Sequence, residues 1–537
     1  MTPTRLAPLC LLPLLPLLPL LASCTAGTDG AAPARSAPAP TLAASPVSTG
    51  TPAVDVTDVP GSVTGSAQVA GNDVTYRVRP VVRTAGRAVA TVDVTLVGAS
   101  TGSSAPVGVY FKDPFREGSH QSFSLVRLVD LPGRHVYLAA RGSSGVAATS
   151  VTRGVDVGTS FSGQVAFAGV PSDVARIGVL VEGLGYAQVP VVDSGIPSVN
   201  STAADLADHN PYAKRQLTPA DLSAAADAPV LPLEAYVEQP GLRARSTRDA
   251  LRLSLDTAVL FRLDSAVLTP QATAALVEAA TQVRARAAGG RVDVTGYTDD
   301  SGSDAHNLVL SRARAAAVRQ ALTPRLPGFT LVASGRGEQD PAVPGTGEAA
   351  RRLNRRVELT LTAPARPAPA ASTGDGSTVP IRPGTPTARG REAVRVTSTY
   401  PKGLPLLVSA PSVVRTDGAL LVTLHVANAD STRLGRVLGL LASGALNARG
   451  EFSPREQASA NALQVLVGRK AVHPLDYRNP PPGDQDLRTT LTDQYLSYSL
   501  PPGRGVQTVT ALFPDVGGPA VTLDVPGVLR LQDVPVT

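Results

Sequence analysis

Arg291-Val292-Asp293-Val294-Thr295-Gly296-Tyr297-Thr298-Asp299-Asp300-Ser301-Gly302-Ser303, running into Asp304–Leu322, decides how the middle of this chain folds. Arg291–Tyr297 alternates as a strand does, and Asp304–Leu322 has the spacing of a helix, with Ser303 placed to cap it. Working outward, Leu251–Phe261 reads as a strand that turns through Leu263–Gln271 into a helix. That helix reaches Ala287 and sets Leu276, Ala280, Val283 and Ala287 on one face. On the other side come a strand at Phe329–Ser334, a short helical piece at Gly347–Leu353 and a strand at Arg355–Leu361. Strands alternating with helices predict a layered α/β domain over 247–363.

Inside this block stand Leu260-Phe261-Arg262-Leu263-Asp264, then Thr298-Asp299, then Asn307, Leu310, Ser311, Arg314 and Ala315, then Asn354-Arg355-Arg356-Val357-Glu358. In this order and at these spacings they resemble the OmpA-like peptidoglycan-binding domain of envelope proteins, an α+β sandwich of βαβαββ order. The departure is Tyr297, where the family usually has His; it costs a minor polar contact and leaves the site intact. The resemblance implies a ligand, the diaminopimelate residue of the cell-wall stem peptide, whose zwitterionic end is gripped at Asp299 and Arg314. It does not extend to the flanking blocks.

The residues argue for the same place. Asn307, Leu310, Ser311 and Arg314 fall at i, i+3, i+4 and i+7, a single helix face. Leu310 is expected to pack inward beside Val318. Helical side chains lean toward the N-terminus, so Arg314 should reach back to the loop bearing Thr298 and Asp299. A carboxylate and a guanidinium held apart receive a zwitterion, the first taking its ammonium and the second its carboxylate in a two-pronged pair. The bland alternative is an ion pair between the two. Asn307 would bond loop backbone or ligand, and Asp264 would cap a turn or touch ligand. Arg355 and Arg356 alternate on a strand, so one faces out, toward glycan, phosphate or plain water. Thr298, Asp299, Asn307, Arg314 and Arg355 are thus the candidate binding residues, with no metal or cofactor expected. From Arg252 to Glu358 there are 14 arginines against 11 acidic residues, a mild positive field suited to an anionic wall polymer.

Residues 63–195 and 393–537 alternate at period two in short runs cut by Gly, Pro, Ser and Asp, which predicts two all-β, Ig-like sandwiches. They read as copies: Val81-Val82-Arg83-Thr84-Ala85-Gly86 recurs as Val413-Val414-Arg415-Thr416-Asp417-Gly418, each before an alternating strand. Residues 196–246 read as a connector with a short helix near Pro219–Ala226, and 364–392 as a Pro/Ala/Gly-rich linker. Because the site residues lie between 298 and 356, the central block is expected to bind without the last one. Gly98-Ala99-Ser100-Thr101-Gly102 has the form of a hydrolase elbow, but a loop and strand follow where a helix is needed, so no enzyme is expected.

Met1–Cys24 starts with Arg5 and continues as an apolar run broken by Pro13, Pro16 and Pro19, a secretory signal rather than a membrane span. Leu21-Ala22-Ser23-Cys24 resembles the lipobox of bacterial lipoproteins, which implies a signal over 1–23 and a lipid on Cys24; ordinary cleavage near Ala22 or Ser23 is the alternative. Residues 24–62 read as a flexible linker spanning roughly 30–35 Å.

The 537 residues predict three or four domains, and 43% hydrophobic residues supply core material built without tryptophan. Cys10 and Cys24 are the two cysteines, which rules out a zinc cluster or disulfide framework. A net charge of +6 spread along the chain speaks against a nucleic-acid stripe. The sequence therefore predicts an envelope protein with a lipid in the bilayer and a grip on peptidoglycan. It would sit at the outer membrane of a diderm or the outer face of a monoderm cell membrane. A second reading makes it an adhesion protein whose sandwiches bind a protein partner while the central domain positions it.

Overall fold

In the computed structural model the central strands are Ala250–Asp256, Gly290–Gly296, Phe329–Gly335 and Arg356–Thr362. Residues 59–537 are described, except 70, 99–125, 143–144, 147–156, 159, 200–215, 365–378, 400, 438, 443–445, 448, 452–458, 480–486, 494–495, 497–498 and 504. The signal, Cys24 and 99–102 of the GxSxG match lie outside the described residues. Gly290–Gly296 pairs in parallel with Phe329–Gly335 and antiparallel with Arg356–Thr362, which pairs antiparallel with Ala250–Asp256. Helices Ala272–Arg286 and Asp304–Leu322 pack against these strands around Leu253, Leu255, Ala279, Ala280, Val292, Val294, Ala315, Val318 and Leu359. No helix among the described residues is long and apolar enough to cross a membrane.

Two glycines bring the second helix close. A Cβ on Gly296 would collide with the Ser311 carbonyl, and one on Gly335 with the Arg312 amide. The start of the helix therefore lies over the strand ends and their loops, where its inward residues are the polar Asn307, Ser311 and Arg314. Leu310, expected inside, is only half-buried for the same reason.

The sheet does not stop at residue 247. Ala250–Asp256 pairs with Leu242–Ser246, that strand with Ala235–Gln239, and that one with Lys470–Val472 of the last block. The result is an 11-stranded sheet whose far edge is Thr387–Arg389, parallel to Leu529–Pro535. Two expectations change here. The connector has its short helix, Pro219–Ala224, but Val230–Pro232, Ala235–Gln239 and Leu242–Ser246 are strands, and part of the second linker is a strand too. The expected boundary between the central and last blocks is also crossed, because one sheet runs from the one into the other. Stripping the last block would uncover the edge at Ala235–Gln239.

The two β blocks share one strand plan. In the first, Val63–Val69 pairs with Asn72–Val78, that strand and Val81–Thr84 with Arg87–Gly98, and Arg87–Gly98 with Ser160–Ala168. In the last, Val394–Thr397, Pro405–Thr416, Ala419–Asn428 and Val506–Pro514 follow the same order. Pro80 separates two strands in the first copy, and a bulge between Ser409 and Ser412, at Pro411, marks the place in the second. Proline has no N–H to give the ladder. The matching turns put Ala85 and Gly86, and Asp417 and Gly418, at positive φ. Each copy then lays a hairpin, Arg176–Val181 with Gly185–Asp193 or Ala520–Val525 with Leu529–Pro535, beside a second strand pair. The last strands of these pairs, His135–Tyr137 and Lys470–Val472, both accept a strand from the connector, Val230–Pro232 and Ala235–Gln239.

Leu233 and Ala235 share a core with Val129, Val136 and Leu180 of the first copy and Leu475, Tyr477 and Leu512 of the second. Beside it lies a buried ionic seam. Arg488 donates to Glu234 at 2.6 Å and to Asp476 at 2.5 Å, Arg449 reaches Asp476 at 2.5 Å, and Arg245 meets Glu234 at 2.7 Å. Burial alone would raise the Asp476 carboxyl, but Arg488, Arg449 and Arg245 outweigh it and hold it well below the usual carboxylate range.

Candidate ligand-binding site

Thr298 and Asp299 follow the end of Gly290–Gly296 and are held from three sides. The Thr298 N–H donates to the Gly337 carbonyl at 2.8 Å, and the Gly337 N–H donates to Ser311 Oγ at 3.0 Å. Gly337 has φ 60° and packs against the helix backbone, where a Cβ would lie 3.3 Å from the Leu308 nitrogen. Asn307 donates its amide to the Asp299 carbonyl at 3.4 Å and to Glu338 Oε2 at 3.0 Å. Asn307 thus takes the loop-backbone role, with Glu338 as a partner that sequence reasoning missed. Ser303 caps the helix, accepting from the His306 N–H at 3.3 Å.

Asp299 and Arg314 are both buried, at 7% and 6% exposure, yet no ion pair joins them among the described residues. Asp299 Oδ1 accepts from the Ser301 N–H at 3.1 Å, and Oδ2 from Arg355 Nη1 at 2.5 Å. The other end of Arg355 meets Glu348 at 2.6 Å. Arg355 is therefore no solvated edge residue. Desolvation pulls its guanidinium down, but Glu348 and Asp299 outweigh that and leave it above its ordinary value.

Arg314 donates Nε to the Ser265 carbonyl at 2.9 Å and lies over the Phe261 ring, 5.4 Å from its centroid. Its terminal nitrogens have no hydrogen-bond partner among the described residues. Burial lowers its pKa, opposed by the charges of Asp264 and Asp299 and assisted by Arg355. Thr298 Oγ1, also buried, has no partner. Asp264 sits at φ 49° and meets His306 Nε2 at 2.7 Å on the rim. Arg351 pairs with Asp300 at 2.7 Å, a second rim contact not foreseen from sequence.

The arrangement sets the cationic end of Arg314, which can bind an anion, beside the Asp299 carboxylate, which can bind a cation, and an unsatisfied hydroxyl. Fold and residues together define a layered α/β domain with a cluster of charged side chains at the strand ends. Residues 260–355 match the model of the OmpA family, and this stretch is an OmpA-family domain. Outer membrane porin F of Pseudomonas fluorescens is 41% identical over 76 residues, which is 14% of this chain and 23% of the porin. The match thus spans less than a quarter of that relative. Among solved structures, the cell wall anchor of the T6SS from Pseudomonas aeruginosa is 27% identical, covering 23% of this chain and 89% of that one, with TM-score 0.21. The peptidoglycan-associated lipoprotein from Burkholderia pseudomallei is 32% identical over 19% of this chain and 86% of its own, with TM-score 0.16.

Proposed function

We propose that this protein is a lipid-anchored envelope protein that binds peptidoglycan without catalysis, through the diamino acid of the stem peptide, and so ties membrane to wall. One observation carries the reading: beside Asp299, the Thr298 hydroxyl is buried without a partner, and the terminal nitrogens of Arg314 have no protein partner among the described residues. A buried hydroxyl without a partner costs free energy, and a ligand carboxylate can supply its partner while pairing with the guanidinium beside it. The ligand ammonium would compete with Arg355 for Asp299. The OmpA-family domain and the name of the Burkholderia lipoprotein support the choice of polymer.

The anchor rests on the lipobox at Leu21–Cys24. Lipid and pocket on one chain turn two modest affinities into durable attachment, because binding at one end raises the effective concentration at the other. Pelleting of the whole protein with purified peptidoglycan tests the pocket: wild type should sediment and Asp299→Asn should stay in solution. Cys24→Ser should free the protein from membranes or leave it unprocessed; unchanged sedimentation with washed membranes would refute the anchor.

A further inference from the structure

Two consecutive arginines, Arg355 and Arg356, part company at the end of the pocket. Arg355 turns to Asp299. Arg356 is 5% exposed and enters a cage, donating to the Asp340 carbonyl at 3.1 Å, the Asn354 carbonyl at 3.4 Å and Glu358 at 3.3 Å. The cage is closed by the Tyr297 ring, whose centroid lies 3.7 Å from the guanidinium carbon. Tyr297 is also tied along the backbone, its N–H donating to the Arg356 carbonyl at 2.9 Å, and it directly precedes Thr298 and Asp299.

We infer that Tyr297 is a positioning residue for the pocket: its uncharged ring holds Arg356 in the sheet, so that Arg355 alone is presented to Asp299. This rests on the binding function proposed above. A guanidinium on an aromatic face is attracted to the ring quadrupole, and the attraction grows when water is excluded. Without the ring, Arg356 gains a way out of its cage, and both arginines compete for the Asp299 loop. The groups facing Tyr297 are Arg356 and Glu358 on the neighbouring strand and Arg336 and Asp340 on the loop beyond Phe329–Gly335. Burial first, then Glu358, pushes the phenol above its ordinary value, so it carries no charge in neutral or acid conditions. A titratable ring at 297 would set a cation against Arg356 in acid. The phenol makes the grip independent of that event.

The test uses the full chain, calorimetry with the soluble tripeptide L-Ala-γ-D-Glu-meso-diaminopimelate, and two buffers, pH 7.5 and pH 5.5. Tyr297→Ala should weaken binding about tenfold at both, and Tyr297→Phe, which keeps the ring face, should recover most of the loss. Tyr297→His should lose about tenfold more affinity than wild type on going from pH 7.5 to pH 5.5, because its ring acquires a proton beside Arg356. Wild-type affinity in the alanine variant, or a histidine variant that follows wild type through both buffers, overturns the inference. Should the alanine variant lose its thermal transition, the histidine arm decides alone, since the ring is kept. Asp299→Asn is the control. If it binds as wild type does, the site reading falls and this inference with it. If it loses binding while the Tyr297 variants follow wild type, the inference about Tyr297 fails alone.

Discussion

The pocket at Asp299 and the seam at Asp476 are made of the same pieces, carboxylates and arginines, in opposite states of completion. At the seam, Asp476 is fully buried and both its oxygens are taken by Arg449 and Arg488, with Arg245 close by. In the pocket, Asp299 shares one oxygen with Arg355, whose side chain is 27% exposed, and Arg314 keeps its terminal nitrogens unpaired. A charge cluster becomes a bolt when arginines of the protein take both oxygens of its central carboxylate. It becomes a receptor when one pair of partners is left for something else to provide.

The hardest test of this contrast is Asp476→Ala. Two buried arginines, Arg449 and Arg488, would lose their shared partner, and removing one member of a buried ionic cluster costs about 3–5 kcal/mol. Urea unfolding should register that loss, and a change under about 1 kcal/mol would mean the seam does not hold the blocks together. Asp299→Asn and Arg314→Lys should show the reverse pattern. Each should cost the stem peptide about 1.5–3 kcal/mol of binding, roughly 10- to 150-fold, and lower stability in urea by less than Asp476→Ala does. A non-specific electrostatic grip predicts tighter wall binding for the asparagine variant with a steep salt dependence, and that result would end the receptor reading.

A third test concerns a buried carboxyl joining the two β copies. Asp493 accepts from the Gly183 N–H at 2.9 Å and the Thr510 N–H at 2.8 Å. Burial raises its pKa to about 6, against the lowering effect of those amides and Arg127. A pKa above the unfolded value means this stabilisation is complete below about pH 4 and is lost as pH rises through 6. On the order of 1–3 kcal/mol should therefore disappear between pH 5 and pH 7.5, and Asp493→Asn should abolish that slope whatever its absolute stability. Equal slopes in the two proteins would show that Asp493 does not titrate there. The smallest effect is expected at the rim. Asp300 pairs with Arg351 in the open, so Asp300→Asn should change peptide affinity by less than about threefold.

That Thr298, Asp299, Asn307 and Arg314 come together was legible in the sequence, and the seam was not. Thr298, Asp299, Asn307 and Arg314 stand within a short stretch, on a strand-to-helix turn whose geometry follows from local periodicity. What escaped was the third dimension of that neighbourhood: that Arg355, reached through a later strand, would hold Asp299, and that Glu338 would hold Asn307. The seam failed for a stronger reason. Val237 meets Val472, and Glu234 meets Arg488, across long separations in the chain. Glu234, Arg245, Asp476 and Arg488 look in sequence like any solvated charge, since nothing local marks a charged residue as buried. The strands of 230–246 are short and polar at one end, and they earned no strand reading because their order comes from edges supplied by the two copies.

The shared strand plan leaves this molecule two equivalent sheet edges, and open edges are where chains join their neighbours. At Lys470–Val472 the edge is occupied by Ala235–Gln239 and carried on into the OmpA-family sheet. At His135–Tyr137 it receives only Val230–Pro232, a strand that stops at a residue with no N–H to offer. One stretch of chain therefore closes both openings. The connector thus covers a sheet edge of each block as well as linking the domains.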